Sequence, residues 1–357
     1  WSEILLLWEN VKINNFTTGI NAFQANYLLL SNIHVQNIQG IGIHIDSSAN
    51  VEITGSIVED SELSNIVVED NSTDMTLSHS HVEGSESSGV IVRAGSLDFN
   101  MLHVVVDFND DYGCLIASPN ANIAKSYIKN NGLNGIYISS THEVELSENK
   151  FEGNGLSELK IIGSTDISID YNYFNATELE TESGGWGIDI SSSSESEINH
   201  NIFELGVRLT ESDNSTLDNN EFANISYGNN YNQKAAILID DGFDNIISSN
   251  SISNVGISLV FLGDSDNNLV ENNTIEGAST DLEYYASGIN NTFINTEMDI
   301  VDILETSYFE TLNYIDLQMF TFNGPVEDVE INITNGDVNV YSTEYYGGSD
   351  EITYSDG

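Results

Sequence analysis

Basic residues are scarce in this chain: eight Lys plus Arg stand against 57 Asp plus Glu, a formal net charge of -49 at pH 7. A field this negative repels phosphate backbones and anionic lipid headgroups, which excludes nucleic acid and phosphoinositides as partners. It also disfavours polyanionic substrates unless metal ions bridge them. A single cysteine, Cys114, excludes an internal disulfide framework. Its place directly after a coil-starting glycine points inward and marks a buried, inert thiol. Two prolines in 357 residues do not fit a proline-rich disordered chain, and no apolar run reaches the roughly 18 residues of a membrane-spanning helix. The sequence opens at Trp1 without Met or a signal peptide and reads as a piece of a longer protein. Hydrophobic residues still make up 39% of it and aromatics 9%, enough to bury a core.

What the chain has is a repeat. A small or polar residue followed by an apolar alternation recurs at Gly19-Ile20, Gly42-Ile43, Asn65-Ile66, Gly89-Val90, Gly113-Cys114, Gly135-Ile136, Glu158-Leu159, Gly187-Ile188, Gly206-Val207, Ala236-Ile237 and Gly256-Ile257. The successive steps are 23, 23, 24, 24, 22, 23, 29, 19, 30 and 20 residues. In the repeat from Gly135, Ile136 and Ile138 flank Tyr137, Val144 and Leu146 flank Glu145, and Phe151 follows. Alternation of period two in such short pieces means three strands per repeat, each with one buried face. The Gly, Ser, Asn and Asp between them are turn residues. The expected fold is all-β: a solenoid of about 11 to 12 coils whose parallel strands stack rung on rung.

A second regularity runs through the repeats. Asn149, Asn172, Asn201, Asn220, Asn250 and Asn273 are followed two residues later by Phe151, Phe174, Phe203, Phe222, Ile252 and Ile275. An asparagine at the same bend of successive coils can pass amide hydrogen bonds up the stack, satisfying turn amides that burial would leave unpaired. These asparagines are read as architecture.

This Asn-x-Phe/Ile ladder with Gly-Ile-x-Ile strands resembles the right-handed parallel β-helix of the pectate-lyase-like superfamily. In texture it is similar to the repeats of archaeal and bacterial surface proteins and of the periplasmic copper-binding maturation type. The resemblance covers about residues 4 to 300 and implies the fold. The superfamily holds lyases, hydrolases, epimerases, adhesins and proteins without known activity, so it implies no single function. Past it the texture changes, and the expected domains are 1–304, the β-helix, and 305–357. In the second, an Asn323-Gly324-Pro325 turn leads into alternating Val329, Ile331 and Ile333. That segment resembles the opening strands of an immunoglobulin-like or carboxypeptidase-regulatory-like β-sandwich, and it is expected to be incomplete.

The superfamily's chemistries each need residues that can be sought. Hydrolysis of the polygalacturonase type needs paired carboxylates with a His and a basic pair. The only Asp-Asp pairs are Asp110-Asp111 and Asp240-Asp241, and no Gly-His-Gly or Arg-x-Lys occurs. A lyase needs a basic residue beside a calcium-neutralised uronate. Of the eight basic residues only Arg208 and Lys234 lie near a groove, and Arg208 is expected to pair with Glu211 or Asp213. The epimerase run Asp-Pro-His-Glu is absent. His79 and His81 form a His-x-His pair expected on one strand face, a copper or zinc candidate without a third ligand of matching spacing. Calcium is the more plausible cation, with Asp240, Asp241 and Asp244 offering hard oxygens on a turn. The acidic surface itself suits brine or seawater.

Two long steps place insertions after Phe174 and Phe222, at the same bend, over the coil from Gly187. Trp186, Tyr227 and Tyr231 would supply flat faces there, with Glu182, Asn230, Lys234 and Arg208 as hydrogen-bonding edges, a mix suited to a neutral sugar chain. Eight Asn-x-Ser/Thr sequons permit glycosylation without indicating it. The function expected from the sequence is an extracellular or cell-surface structural or adhesive module contacting polysaccharide or surface glycan. The alternative is a polysaccharide lyase, hydrolase or epimerase acting in that groove.

Overall fold

Each period-two run of the sequence becomes a strand with one face inside. In the coil that begins at Ile136, strand Ile136–Ser139 buries Ile136 and Ile138, His142–Ser147 buries Val144 and Leu146, and Lys150–Glu152 buries Phe151. The computed structural model describes residues 6–175, 185–225 and 235–303, and then the strands Glu310–Asp316, Phe320–Thr321, Gly324–Pro325, Val329–Asn335, Val338–Tyr345 and Glu351–Ser355.

Strands one coil apart pair in parallel, giving three long sheets. The first starts at Leu6–Glu9 and has 15 strands, the second starts at Lys12–Asn14 and has 12, and the third starts at Ile20–Phe23 and has 13. The chain visits first, second and third sheet in turn, which makes a parallel β-helix of about 12 turns. Like residues pile into columns: Ile43, Ile66, Val90, Cys114, Ile136, Leu159, Ile188 and Val207 are successive register partners on the inner side of the third sheet, all fully buried. Inside the second sheet Phe151, Phe174, Phe203 and Phe222 form a continuous stack, with ring centroids 4.8, 4.7 and 4.7 Å apart and nearly parallel planes. That spacing equals the coil rise, so the offset stacking favoured by aromatic rings comes at no cost in register.

The asparagine ladder holds the bend from first to second sheet. Asn149 donates from both backbone N and Nδ2 to Oδ1 of Asn172, at 2.9 and 3.0 Å. The same pair of hydrogen bonds joins Asn172 to Asn201, Asn201 to Asn220, Asn220 to Asn250 and Asn250 to Asn273. Just before each asparagine the chain turns through positive φ: Glu148, Tyr171, His200, Asn219, Ser249 and Asn272 lie between 53° and 55°. Further ladders occupy the other bends. One runs Asn109, Asn131, Asn154, and another Asn245, Asn268, Asn291. A serine version links Thr141, Ser164, Ser193 and Ser212. Buried turn amides are thus paired coil to coil, each bond contributing about 1 kcal/mol net.

One reading of the sequence changes. The last coil step is not at Gly256-Ile257: Ile237 pairs with Leu259, and Ile257 faces Ala235. In the strand Ile257–Leu262 outward Val260 is as buried as inward Leu259, so no alternation marks the register. Glu310–Asp316 pairs in parallel with Thr292–Ile294 and extends the first sheet; antiparallel pairing begins beyond it, with Glu351–Ser355 and in the hairpin Val329–Asn335/Val338–Tyr345.

Candidate functional site

The two insertions leave the chain where the spacing predicts, between the second and third sheets. The second sheet is left at Asn175 and at Ala223, and the third is entered at Ile188 and at Ala235. Of the groove residues, Glu182, Tyr227, Asn230, Tyr231 and Lys234 lie outside the described residues. Trp186 and Arg208 are brought together, but differently from the sequence expectation.

On the outward face of the third sheet, Tyr137, Lys160, Asp189 and Arg208 are consecutive register partners. Arg208 does not pair with Glu211 or Asp213; it reaches one coil down to Asp189. Its Nε lies 2.9 Å from Oδ1 and its NH2 nitrogen 2.6 Å from Oδ2. Lys160 reaches one coil up to the same Oδ2 at 2.7 Å. Asp189 is 5% exposed. Burial alone would push its carboxyl up, but hydrogen bonds from Arg208 and Lys160 overcome this and hold it below the usual range. Two cations around one carboxylate leave a local charge of plus one in an otherwise acidic molecule.

Trp186 is not an open platform. It is 3% exposed and packs with Ala235, Leu238, Ile257 and Val260 in a small second core on the outer side of the third sheet. The Arg208 guanidinium sits 5.5 Å from its ring centroid, a cation–π contact that fixes the guanidinium plane. The aromatic face beside the charges is Tyr137, half-buried and stacked 4.9 Å from Tyr112. Two coils beyond Asp189 stands Asp240, whose carboxyl is pushed up by burial and by Asp241, with Glu211 adding to the effect and Arg208 opposing it. Lys160, Asp189 and Tyr137 were missed in the sequence because each is ordinary alone. Only the coil length, 29 residues from Lys160 to Asp189, makes them neighbours.

Asp240 and Asp241 are near enough to act on each other's charge, but Asp240, Asp241 and Asp244 do not bring their ligand atoms within 4.8 Å of one another. Asp240 ends a strand of the third sheet, Oδ1 of Asp241 accepts the amide of Asp264 at 2.7 Å, and Asp244 sits on the following bend at φ 55°. His79 and His81 also diverge. His79 is at the positive-φ corner, its ring 5.1 Å from that of His103, whereas His81 opens a strand of the second sheet. Among the described residues one set of three His, Cys, Asp or Glu brings its ligand atoms within 4.8 Å of one another: His81, Glu83 and Asp107. One imidazole nitrogen and two carboxylate oxygens suit divalent copper or zinc; Cu(I), which prefers thiolate and thioether, has no such donors in the set.

A family model described as "Periplasmic copper-binding protein (NosD)" matches residues 8–199 and 179–314. No curated protein matches the chain in sequence. Among solved structures, the Dettilon tailspike protein is similar with a TM-score of 0.57 at 13% identity, over 90% of this chain and 66% of that one. This chain therefore spans about two thirds of the tailspike's length. PfbA, a surface adhesin of Streptococcus pneumoniae, gives 0.54 at 12% identity over 94% and 90%. The periplasmic alginate epimerase AlgG gives 0.56 at 16% over 79% and 76%. At these identities the likeness is one of fold.

Proposed function

This chain belongs to the NosD family, and we propose that it is a periplasmic or cell-surface β-helix module that holds a neutral polysaccharide against the outward face of its third sheet. The observation that carries this reading is the contact row Tyr137, Lys160, Asp189 and Arg208. Asp189 uses three of its lone-pair positions on the two cations, so it works as an anchor that aims them. The remaining N–H groups of Lys160 and Arg208 are free to meet sugar hydroxyls, and Tyr137 offers a ring face to a pyranose. Glu211 and Asp240 flank the row and disfavour a polyanionic chain. A similar architecture in an alginate epimerase supports carbohydrate as the ligand class. The test is affinity electrophoresis against neutral and uronate-containing polysaccharides. Retardation by a neutral polymer, lost in Tyr137→Ala and in Arg208→Gln, is expected; no retardation by any polymer, or retardation indifferent to both changes, overturns the reading.

A second reading is polysaccharide cleavage. It is favoured by one observation: Asp189 is held ionised while Asp240, near the same Arg208, is pushed toward protonation, and such divergent carboxyls serve as acid and anion in glycoside chemistry. New reducing ends that disappear in Asp240→Asn, with binding retained, would select it.

A further inference from the structure

A second cluster lies off the third sheet, at the bend between the first and second sheets. There Tyr171 stands at φ 55°, a left-handed conformation in which bulky residues are rare, and it is 59% exposed. One face of its ring is covered from the next coil by His200, with centroids 4.8 Å apart and planes 12° from parallel. His200 is itself held by Asp170, Nδ1 to Oδ1 at 3.0 Å. The other face turns to the preceding coil, where Glu148 occupies the corner. Glu148 is drawn away from the ring, since its Oε1 lies 3.4 Å from Nζ of Lys125, one coil further back. Between the two coils an open hollow of about 610 Å³ is lined by Glu148, Asn149, Lys150, Tyr171 and Tyr173.

The charges around this hollow are matched. Lys125 faces Glu148, and Lys150 Nζ lies 2.7 Å from Oε2 of Glu152 and 3.3 Å from the Tyr127 hydroxyl. Such a spot favours neither class of ion: Glu148 and Glu152 disfavour an anion, Lys125 and Lys150 a cation. What fits is a neutral ligand with an apolar face for the ring and hydroxyls for the rim. We propose that the hollow beside Tyr171 binds a single neutral pyranose, stacked on the open face of the ring as His200 is stacked on the other. At the coil spacing of about 4.8 Å the sugar takes the level of Glu148, within the range at which rings stack. The Glu148 carboxylate accepts from two neighbouring hydroxyls, and the N–H of Lys150 left over by Glu152 and Tyr127 donates to a third. Tyr173 closes the side with its ring, its own hydroxyl donating to Glu204 Oε1 at 2.8 Å. This site does not rest on the third-sheet reading. With about twelve non-hydrogen atoms, one pyranose reaches only roughly millimolar affinity, too little by itself to retard the chain in a polysaccharide gel.

The test is saturation-transfer NMR of the full chain with the methyl glycosides of glucose, galactose and mannose, and with galacturonate and choline as anionic and cationic comparisons. The same spectra are taken in Tyr137→Ala, which removes the third-sheet ring. Transfer to the ring protons of at least one glycoside is expected in both chains, and to neither ion. Tyr171→Asn removes the stacking face yet suits the left-handed corner, as Asn219 and Asn272 do. It should leave the melting curve unchanged and weaken glycoside binding at least about fivefold. Glu148→Gln should weaken it too, since an amide oxygen is a poorer acceptor than a carboxylate. Absence of transfer to every glycoside, transfer that survives Tyr171→Asn in the Tyr137→Ala background, or choline binding that Tyr171→Asn removes would overturn the site. Polymer retardation that fails while glycoside transfer persists bears only on the third sheet.

Discussion

Asn172 and Asn201 are 29 residues apart, yet Nδ2 of the first donates to Oδ1 of the second at 3.1 Å, the same distance that joins Asn201 to Asn220 across 19 residues. The ladder is indifferent to how much chain each coil spends elsewhere. Insertions are absorbed at the bend between the second and third sheets, while the bend from first to second keeps its geometry.

Asn201 accepts from the N and Nδ2 of Asn172 and itself donates to Oδ1 of Asn220 and to the Ile169 carbonyl. Asn201→Ala strands several of these groups in a dry bend and should destabilise the chain by about 3 kcal/mol, read as a lower urea midpoint. Asn201→Ser should cost less. Serine fills the same bend at Ser126, whose hydroxyl accepts the Val104 amide at 3.1 Å.

The columns were legible because two regularities coincide, the period of two within strands and the Asn-x-Phe step between coils. The serine ladders were not, since serine is common and its bonding role shows only in register. The slip at the last coil has a specific cause. Val260 and Leu238 face outward but are covered by the second core around Trp186, so hydrophobicity there is two-sided. The same core covers the Trp186 ring, which its place before an insertion would otherwise leave open as a sugar platform. His81 was singled out, yet its partners Glu83 and Asp107 become neighbours only once the 24-residue register between those two is known.

Cys114 lies in the buried inner column of the third sheet, and burial pushes its thiol up to about 12. The thiolate fraction at pH 8 is then negligible, so the native chain should resist a thiol-specific reagent and label fully in denaturant. Rapid labelling of the native chain would show that the column opens locally.

Gly206 is a close-approach position. A Cβ there would sit 2.2 Å from the Ala235 carbonyl oxygen and 2.8 Å from the Trp186 ring. Gly206→Ala should lower stability by about 2 kcal/mol or more through overpacking against backbone. By contrast Gly163, with only Ser140 Oγ at 3.9 Å, has room but a positive φ of 58°. Asparagine, which tolerates that conformation, should replace it with a change below about 1 kcal/mol.

Asp189 and Asp240 should make stability depend on pH in opposite senses. The native pKa of Asp189 lies below its unfolded value, near 3.9. Its contribution is therefore present above that value and lost as pH falls through the lower native one. Asp189→Asn should cost about 2 to 4 kcal/mol at pH 7, since Lys160 and Arg208 lose their common anchor, although Arg208, with a side chain 30% exposed, can partly rehydrate. The difference from the parent chain should shrink below pH 4. Asp240 is raised, so its ionisation opposes folding once pH exceeds the unfolded carboxylate value. Asp240→Asn should thus raise the melting temperature at pH 7 and leave it unchanged near pH 3. Melting curves of the two variants between pH 3 and pH 7 should diverge from the parent in opposite directions as pH rises; parallel curves would mean that Arg208 does not distinguish the two carboxyls.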